Sequence, residues 1–195
     1  MDRPSSLEGR RYAILTGNYF EQAELIEPAK ELKRVMAQVD IVSPHPLELQ
    51  GMRHDQRGDK VQVDIPLEEA VPGNYDGLIL PGGVMNADSL RMDPRAVAFV
   101  RHFITESRPI AAICHAPWIL IEADAVKGRK ITSWASLKTD LKNAGAHWVD
   151  EEVVVEPGLV TSRKPGDLPA FCREMIEMFH NSPCHRESAA AASAH

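Results

Sequence analysis

Short, wholly apolar runs recur along this chain with helical patterns between them, and that alternation restricts the fold more than any other feature. Residues 12–16, 77–80 and 109–113 are apolar at nearly every position. A strand with one wet face would alternate apolar with polar, so such runs call for cover on both faces. Residues 39–43, 130–133, 148–156 and 159–162 read as further strands, the last two joined by the turn Pro157-Gly158. Residues 60–65 alternate like a half-exposed strand in a hairpin. The stretch 44–58, rich in Pro, Gly and His, reads as a loop.

Between the strands lie helical spacings. One begins at Glu24, with Leu25, Leu32, Val35 and Met36 on its apolar face and Pro28 read in its first turn. Pro94 opens another, with Val97, Val100, Phe103 and Ile104. A third runs from Pro117 through Trp118, Leu120 and Ile121, and a fourth from Leu137 to Asn143, stopped by Gly145. Leu168, Phe171, Cys172, Met175, Ile176 and Phe179 mark one face of the last. Strand–helix alternation predicts an α/β fold with a mainly parallel sheet covered on both sides. Sites in such sheets form at the carboxyl ends of the strands. Three segments fall there: the one after Thr16, Gly82-Gly83, and Cys114-His115. The length of 195 residues suits one domain, expected over residues 11–180, with a flexible stretch 1–10 and a disordered tail 181–195.

Composition narrows the function. The net charge of −6 argues against a general affinity for nucleic acid or anionic membrane. No apolar run reaches the length of a membrane span, and the polar N-terminus does not read as a secretory signal. Three irregularly spaced cysteines make no disulfide framework, which points to a reducing, cytoplasmic setting. His180, His185 and His195 lack metal-ligand spacing, and Gly82-Gly83 lacks the other glycines and the lysine of a phosphate loop. Trp118, Trp134 and Trp148 read as packing residues. Cys172 reads as core, and Cys184 as an exposed tail residue.

Cys114 stands between a buried strand and a helix, with Pro117 in the helix's first turn. The free N–H groups and positive dipole end at such a place favour thiolate and supply donors for a developing oxyanion, so a thiol pKa below the free value is expected. The plain alternative is a buried, inert cysteine.

Residues 112–117, Ala-Ile-Cys-His-Ala-Pro, resemble the cysteine elbow of the ThiJ/PfpI superfamily. Residues 20–25, Phe-Glu-Gln-Ala-Glu-Leu, are similar to that family's acidic helix start, and Leu80-Pro81-Gly82-Gly83 to its glycine turn. Thr132-Ser133-Trp134, residues 143–146 (Asn-Ala-Gly-Ala) and residues 160–163 (Val-Thr-Ser-Arg) resemble its C-terminal half. The resemblance implies a flavodoxin-like three-layer sandwich with Cys114 as nucleophile at the elbow and Glu24 against its sulfur. Glu24 can stabilise a thiolate only when protonated, as a hydrogen-bond donor. The resemblance also implies Gly83 and His115 N–H groups as the oxyanion site; Glu21 and Gly82 are accessory candidates beside it, and Glu21 reads equally as a solvated surface charge. By motif position the resemblance further implies a triad of Cys114 with His115 and, from a neighbouring subunit, Asp88, so a homo-oligomer is expected. Two departures stand out. Aspartate replaces the usual glutamate in a loop one residue longer, and Ala116 replaces a glycine.

Two functions follow. In one, the chain is a cysteine-dependent hydrolase or lyase acting on small reactive carbonyls, on their protein adducts or on peptides, with no metal or organic cofactor implied. The altered triad loop favours glyoxalase or deglycase chemistry over proteolysis. In the other, it is a stress-responsive redox sensor or chaperone-like protein that uses the oxidisable Cys114.

Overall fold

The fold is that of a computed structural model, which describes residues 6–184. The chain enters through β1 (Arg11–Leu15) and a short β2 (Phe20–Glu21), then α1 (Gln22–Arg34) and β3 (Gln38–Ser43). A hairpin of β4 (Glu48–Arg53) and β5 (Gln56–Gln62) precedes β6 (Ile65–Pro66) and β7 (Gly77–Leu80). Then come α2 (Val84–Met92), α3 (Pro94–Thr105), β8 (Ile110–Ile113) and α4 (Pro117–Glu122). The last part holds β9 (Lys130–Ile131), α5 (Lys138–Asn143), β10 (His147–Trp148), β11 (Val153–Glu156), β12 (Leu159–Ser162) and α6 (Leu168–Asn181).

The central seven-stranded sheet runs in the order β11-β12-β8-β7-β1-β3-β6. Its neighbours pair parallel except for the β11–β12 hairpin. Along β1, Ala13 and Leu15 face one core, with Phe99, Phe103, Leu120 and Leu141 from α3, α4 and α5. Tyr12 and Ile14 face the other, with Leu25, Leu32, Phe171 and Phe179 from α1 and α6. A strand's period of two therefore feeds two separate apolar layers, which is why the runs carry no polar face. The result is the expected flavodoxin-like three-layer α/β sandwich.

Several expectations are corrected. Residues 44–58 are no simple loop: they hold β4 and the start of β5, and the hairpin lies beside β2 through Phe20–Gly51 and Glu21–Met52 pairing. Gly51 and the polar residues around it hid the strand pattern. Pro28 lies in the middle of α1, which begins at Gln22, rather than in its first turn. The segment read as one strand over 148–156 is two short ones, in different sheets. Sequence reading assigned no helix to α2. The packed structure also begins before residue 11. Leu7 is fully buried and its N–H donates to Val35 O, while the Arg10 guanidinium donates to Phe179 O and Ser182 O. Of the expected tail, residues 185–195 lie outside the described residues.

The carboxyl ends of β1, β7, β8 and β12 gather at one end of the sheet. Thr16, Pro81-Gly82-Gly83, Cys114 and Arg163 follow them directly.

Candidate active site

Cys114 follows the last residue of β8 and adopts φ +64°, in the left-handed region that a side chain seldom occupies. The turn is held from both sides. Cys114 N–H donates to Ser162 O at 3.0 Å, and Cys114 O accepts from Trp134 N–H at 2.9 Å. Pro117 then starts α4 at a position that needs no N–H. The strained elbow turns the sulfur into a pocket of about 260 Å3, whose walls include Glu21, Glu24, His54, Val84, His115 and Trp134.

Glu24, in the first turn of α1, is wholly buried. Its Oε2 accepts the Gly82 N–H at 2.9 Å, its side chain is hydrogen-bonded to Cys114, and Oε1 is buried with no donor aimed at it. Burial pushes the carboxyl up to about 8, and the neighbouring charge of Glu21 adds to the rise. Glu24 is therefore protonated at neutral pH.

Gly82 makes this closeness possible. A Cβ there would stand 2.5 Å from Glu24 Oε2 and 2.6 Å from Cys114 Cβ. Gly83 takes φ +93° and points its N–H at the sulfur, beside that of His115. These are the two N–H groups that the resemblance named for an oxyanion, and here both face the Cys114 sulfur.

His115 is buried, with Nδ1 3.2 Å from Cys114 Sγ and Nε2 3.4 Å from Ser136 Oγ. Burial lowers it to about 4, so the ring is neutral and able to accept a proton. Its ring stacks on Trp134 at 5.8 Å and tilts against Trp118 at 5.4 Å.

The thiol departs from the sequence expectation. Burial raises the Cys114 pKa, and the Glu24 carboxylate would raise it further on ionising, while the N–H groups of Gly83 and His115 pull the other way. Sequence could see the helix start but not how deeply the sulfur is buried, nor that α4 spans only Pro117–Glu122, too short for a strong dipole. The resting form is a neutral thiol beside a neutral imidazole.

Asp88 does not join this group within the chain. It sits exposed on α2, where its Oδ1 accepts from Arg91 Nε and Nη2 at 2.9 and 2.8 Å. Arg91 in turn lies 4.7 Å over the Trp118 ring. Glu21 does border the pocket, but as an anchor for the hairpin: its Oε2 accepts the His54 N–H at 3.0 Å. Cys172 is buried on α6 as expected, whereas Cys184 is partly buried and lies 3.7 Å from Asp76 Oδ1.

Sequence reading missed Asn86, His54 and Ser136. Asn86 is fully buried in α2, and its Oδ1 accepts the Gly17 N–H at 2.6 Å. Its Nδ2 donates to Pro81 O and Gly82 O, both at 3.0 Å, tying the end of β1 to the glycine turn. The sequence reading placed Asp88 in a loop, whereas Val84–Met92 form helix α2, and nothing in the sequence marked Asn86 as a brace. Among the described residues, no three His, Cys, Asp or Glu gather as a metal site, and no helix is long and apolar enough to cross a membrane.

Comparison with known proteins agrees with this fold. Residues 10–178 match the model of the DJ-1/PfpI family. The chain is 42% identical over 165 residues to Deglycase PfpI of Pyrococcus furiosus, covering 85% of this chain and 96% of that protein. It is 39% identical over 171 residues to General stress protein 18 of Bacillus subtilis, covering 87% and 98%. Among solved structures, a two-domain protein of Anabaena variabilis with DJ-1/ThiJ/PfpI-like and ferritin-like domains superposes with a TM-score of 0.80 at 33% identity, covering 86% of this chain and 49% of that one. The chain belongs to the DJ-1/PfpI family.

Proposed function

We propose that the chain is a cysteine-dependent enzyme of the glyoxalase or deglycase kind, acting on reactive dicarbonyls and their adducts on amines in protection against carbonyl stress. One observation carries the reading: Cys114 Sγ lies 3.2 Å from a neutral imidazole nitrogen, inside a pocket of about 260 Å3. That volume suits a small dicarbonyl or the adducted end of a side chain, and falls below the roughly 300–1,000 Å3 of sites for drug-sized ligands. The names of the Pyrococcus furiosus and Bacillus subtilis relatives, a deglycase and a stress protein, support the same class.

The chemistry balances without an oxidant. Cys114 Sγ bonds to the aldehyde carbon, and the thiol proton moves to His115 Nδ1. The carbonyl electron pair passes to oxygen, which the Gly83 and His115 N–H groups hold. Protonated Glu24 donates to the sulfur while it carries charge. The oxygen then recovers the proton from Nδ1, giving a hemithioacetal. In a 2-oxoaldehyde, the hydrogen on that carbon moves as a proton to the neighbouring keto carbon through an enediol. The product is the thioester of a 2-hydroxy acid, which water cleaves to the acid and the free thiol. With an amine adduct, the carbinol O–H proton passes to the departing amine as the C–N bond breaks, and Cys114 captures the aldehyde released.

Proteolysis and redox sensing fit less well. The triad of a protease needs an acid on His115, and Asp88 is bound to Arg91 in this chain. A sensor would need only the oxidisable sulfur, and gives no role to the imidazole at 3.2 Å or to the pocket around it.

The test is turnover of methylglyoxal to lactate, together with release of free amine from methylglyoxal-treated acetyl-lysine. Cys114→Ser should abolish both, and His115→Asn should slow them by about 10²-fold or more, the scale of general-base catalysis. A wild-type protein with neither activity, or a Cys114→Ser variant that retains them, would overturn the reading.

A further inference from the structure

Of the groups around the elbow, the side chain facing His115 Nε2 has no part in the family resemblance and none in the chemistry above. Nδ1 of His115 can take the thiol proton only if it is bare, so the neutral ring must carry its hydrogen on Nε2. A buried N–H needs an acceptor, and leaving it unmet is costly. The group that faces Nε2 is Ser136 Oγ, at 3.4 Å. Ser136 belongs to the single helical turn Ala135–Leu137, which starts after Trp134. Trp134 N–H donates to Cys114 O, so the segment carrying Ser136 is pinned to the elbow itself.

The ring plane is fixed independently. Trp134 stacks on one side of it at an interplanar angle of 27°, and Trp118 meets it at 56°. Trp118 is itself anchored, its Nε1–H donating to Asp140 Oδ2 at 2.8 Å while the Arg91 guanidinium lies over its face. With the plane held, the remaining freedom is which nitrogen bears the hydrogen.

We propose that Ser136 is the positioning residue for His115: its Oγ accepts the Nε2–H, and so presents the bare Nδ1 to the Cys114 thiol from within the same chain. The role rests on the reading of His115 as the proton acceptor in carbonyl chemistry. It assigns to a serine the task that the triad comparison would give to Asp88 of a second copy. Charged groups around the clamp include Arg91 over Trp118, with Asp88 on that arginine, Asp140 on the Trp118 indole, Lys138 just after the helical turn, and Glu21, which lines the same pocket as His115. Glu24, on α1, faces the sulfur.

The assignment is testable without substrate. Protein labelled with 15N-histidine, with the His115 signals identified by their loss in His115→Asn, reports the tautomer and the titration midpoint. The expected tautomer is Nε2–H with Nδ1 bare. An oxygen that accepts from Nε2–H stabilises the imidazolium more than the neutral ring, so Ser136→Ala should lower the His115 midpoint and Ser136→Thr should restore it. In turnover, Ser136→Ala should cut kcat roughly 2- to 10-fold, the range one neutral hydrogen bond supports, with KM unchanged. A wild-type ring with Nδ1–H would overturn the proposal. So would a Ser136→Ala midpoint equal to wild type, or a midpoint that moves in Asp88→Asn and not in Ser136→Ala. If the protein turns over no carbonyl substrate but shows the expected tautomer and shifts, the function fails while the placement of Ser136 stands.

Discussion

At the scale of single residues the site depends on close approach. Cys114, Glu24 and the glycine turn come from three separate strand ends, and Gly82 lets them touch. An added methyl group there would meet Glu24 Oε2, Cys114 Cβ and Ile113 O within 2.9 Å, and the last is backbone that cannot swing aside. Gly82→Ala should therefore shift the turn, part the carboxyl from the sulfur and cost about 1–3 kcal/mol of stability, the usual penalty of overpacking. Paired measurements of melting temperature and carbonyl turnover check this. A variant as stable and active as wild type would show that the contact is not needed. Cys114 was legible from its place between a buried strand and a helix, whereas Glu24, Gly83 and His115 were singled out only through the family resemblance, since locally Glu24 reads as an ordinary acidic residue at a helix start. Ser136 and His54 were not legible, because an isolated serine and an isolated histidine carry no local signal, and only the fold brings them to the pocket.

At the scale of elements, the parts that sequence reading recovered are those whose periodicity comes from burial. Strands β1, β7 and β8 are apolar throughout because both faces are covered, and α3 and α6 show clean apolar stripes. The parts it missed have weak or mixed patterns. Helix α2 buries Asn86, Ala87 and Leu90, so its inward face includes a polar residue that serves as a brace rather than as core. A buried asparagine at an inward position breaks the apolar stripe and hides the helix. The β4–β5 hairpin pairs largely through polar and charged residues, and its register shifts between Gln50 and Met52. Its tip carries His54, whose backbone bonds to Glu21 and brings the ring to the pocket wall. The α2 brace and this hairpin complete the site, and neither is written as a motif.

For the whole molecule, the buried ionisable groups tie stability to pH. Glu24 ordinarily titrates at 4.5 and is raised to about 8 in the fold, so across that range the folded state holds a proton the unfolded chain has lost, and stability falls as pH rises. His115 is lowered from 6.5 to about 4, so between those values the unfolded chain binds the extra proton and stability rises with pH. His102, also lowered by burial, acts in the same direction. The two trends oppose each other below about 6.5, and Glu24 acts without that opposition from there to about 8. Denaturant unfolding in that upper window should show stability falling by up to about 1.4 kcal/mol per pH unit, and Glu24→Gln should flatten the slope. A flat wild-type profile, or an equal slope in the variant, would contradict the burial argument.

The central claim is that Glu24 is a neutral acid held against the Cys114 sulfur at working pH. Infrared spectroscopy reads it most directly, because a protonated carboxyl absorbs apart from carboxylates. The difference spectrum of wild type minus Glu24→Gln at pH 6.5 should show one protonated carboxyl band, its intensity halved near pH 8. The band should also move in Cys114→Ala, where the acid loses its partner. Absence of the band at pH 6.5, or its loss near the ordinary glutamate value of 4.5, would mean that Glu24 is ionised beside the sulfur and that this account of the site is wrong.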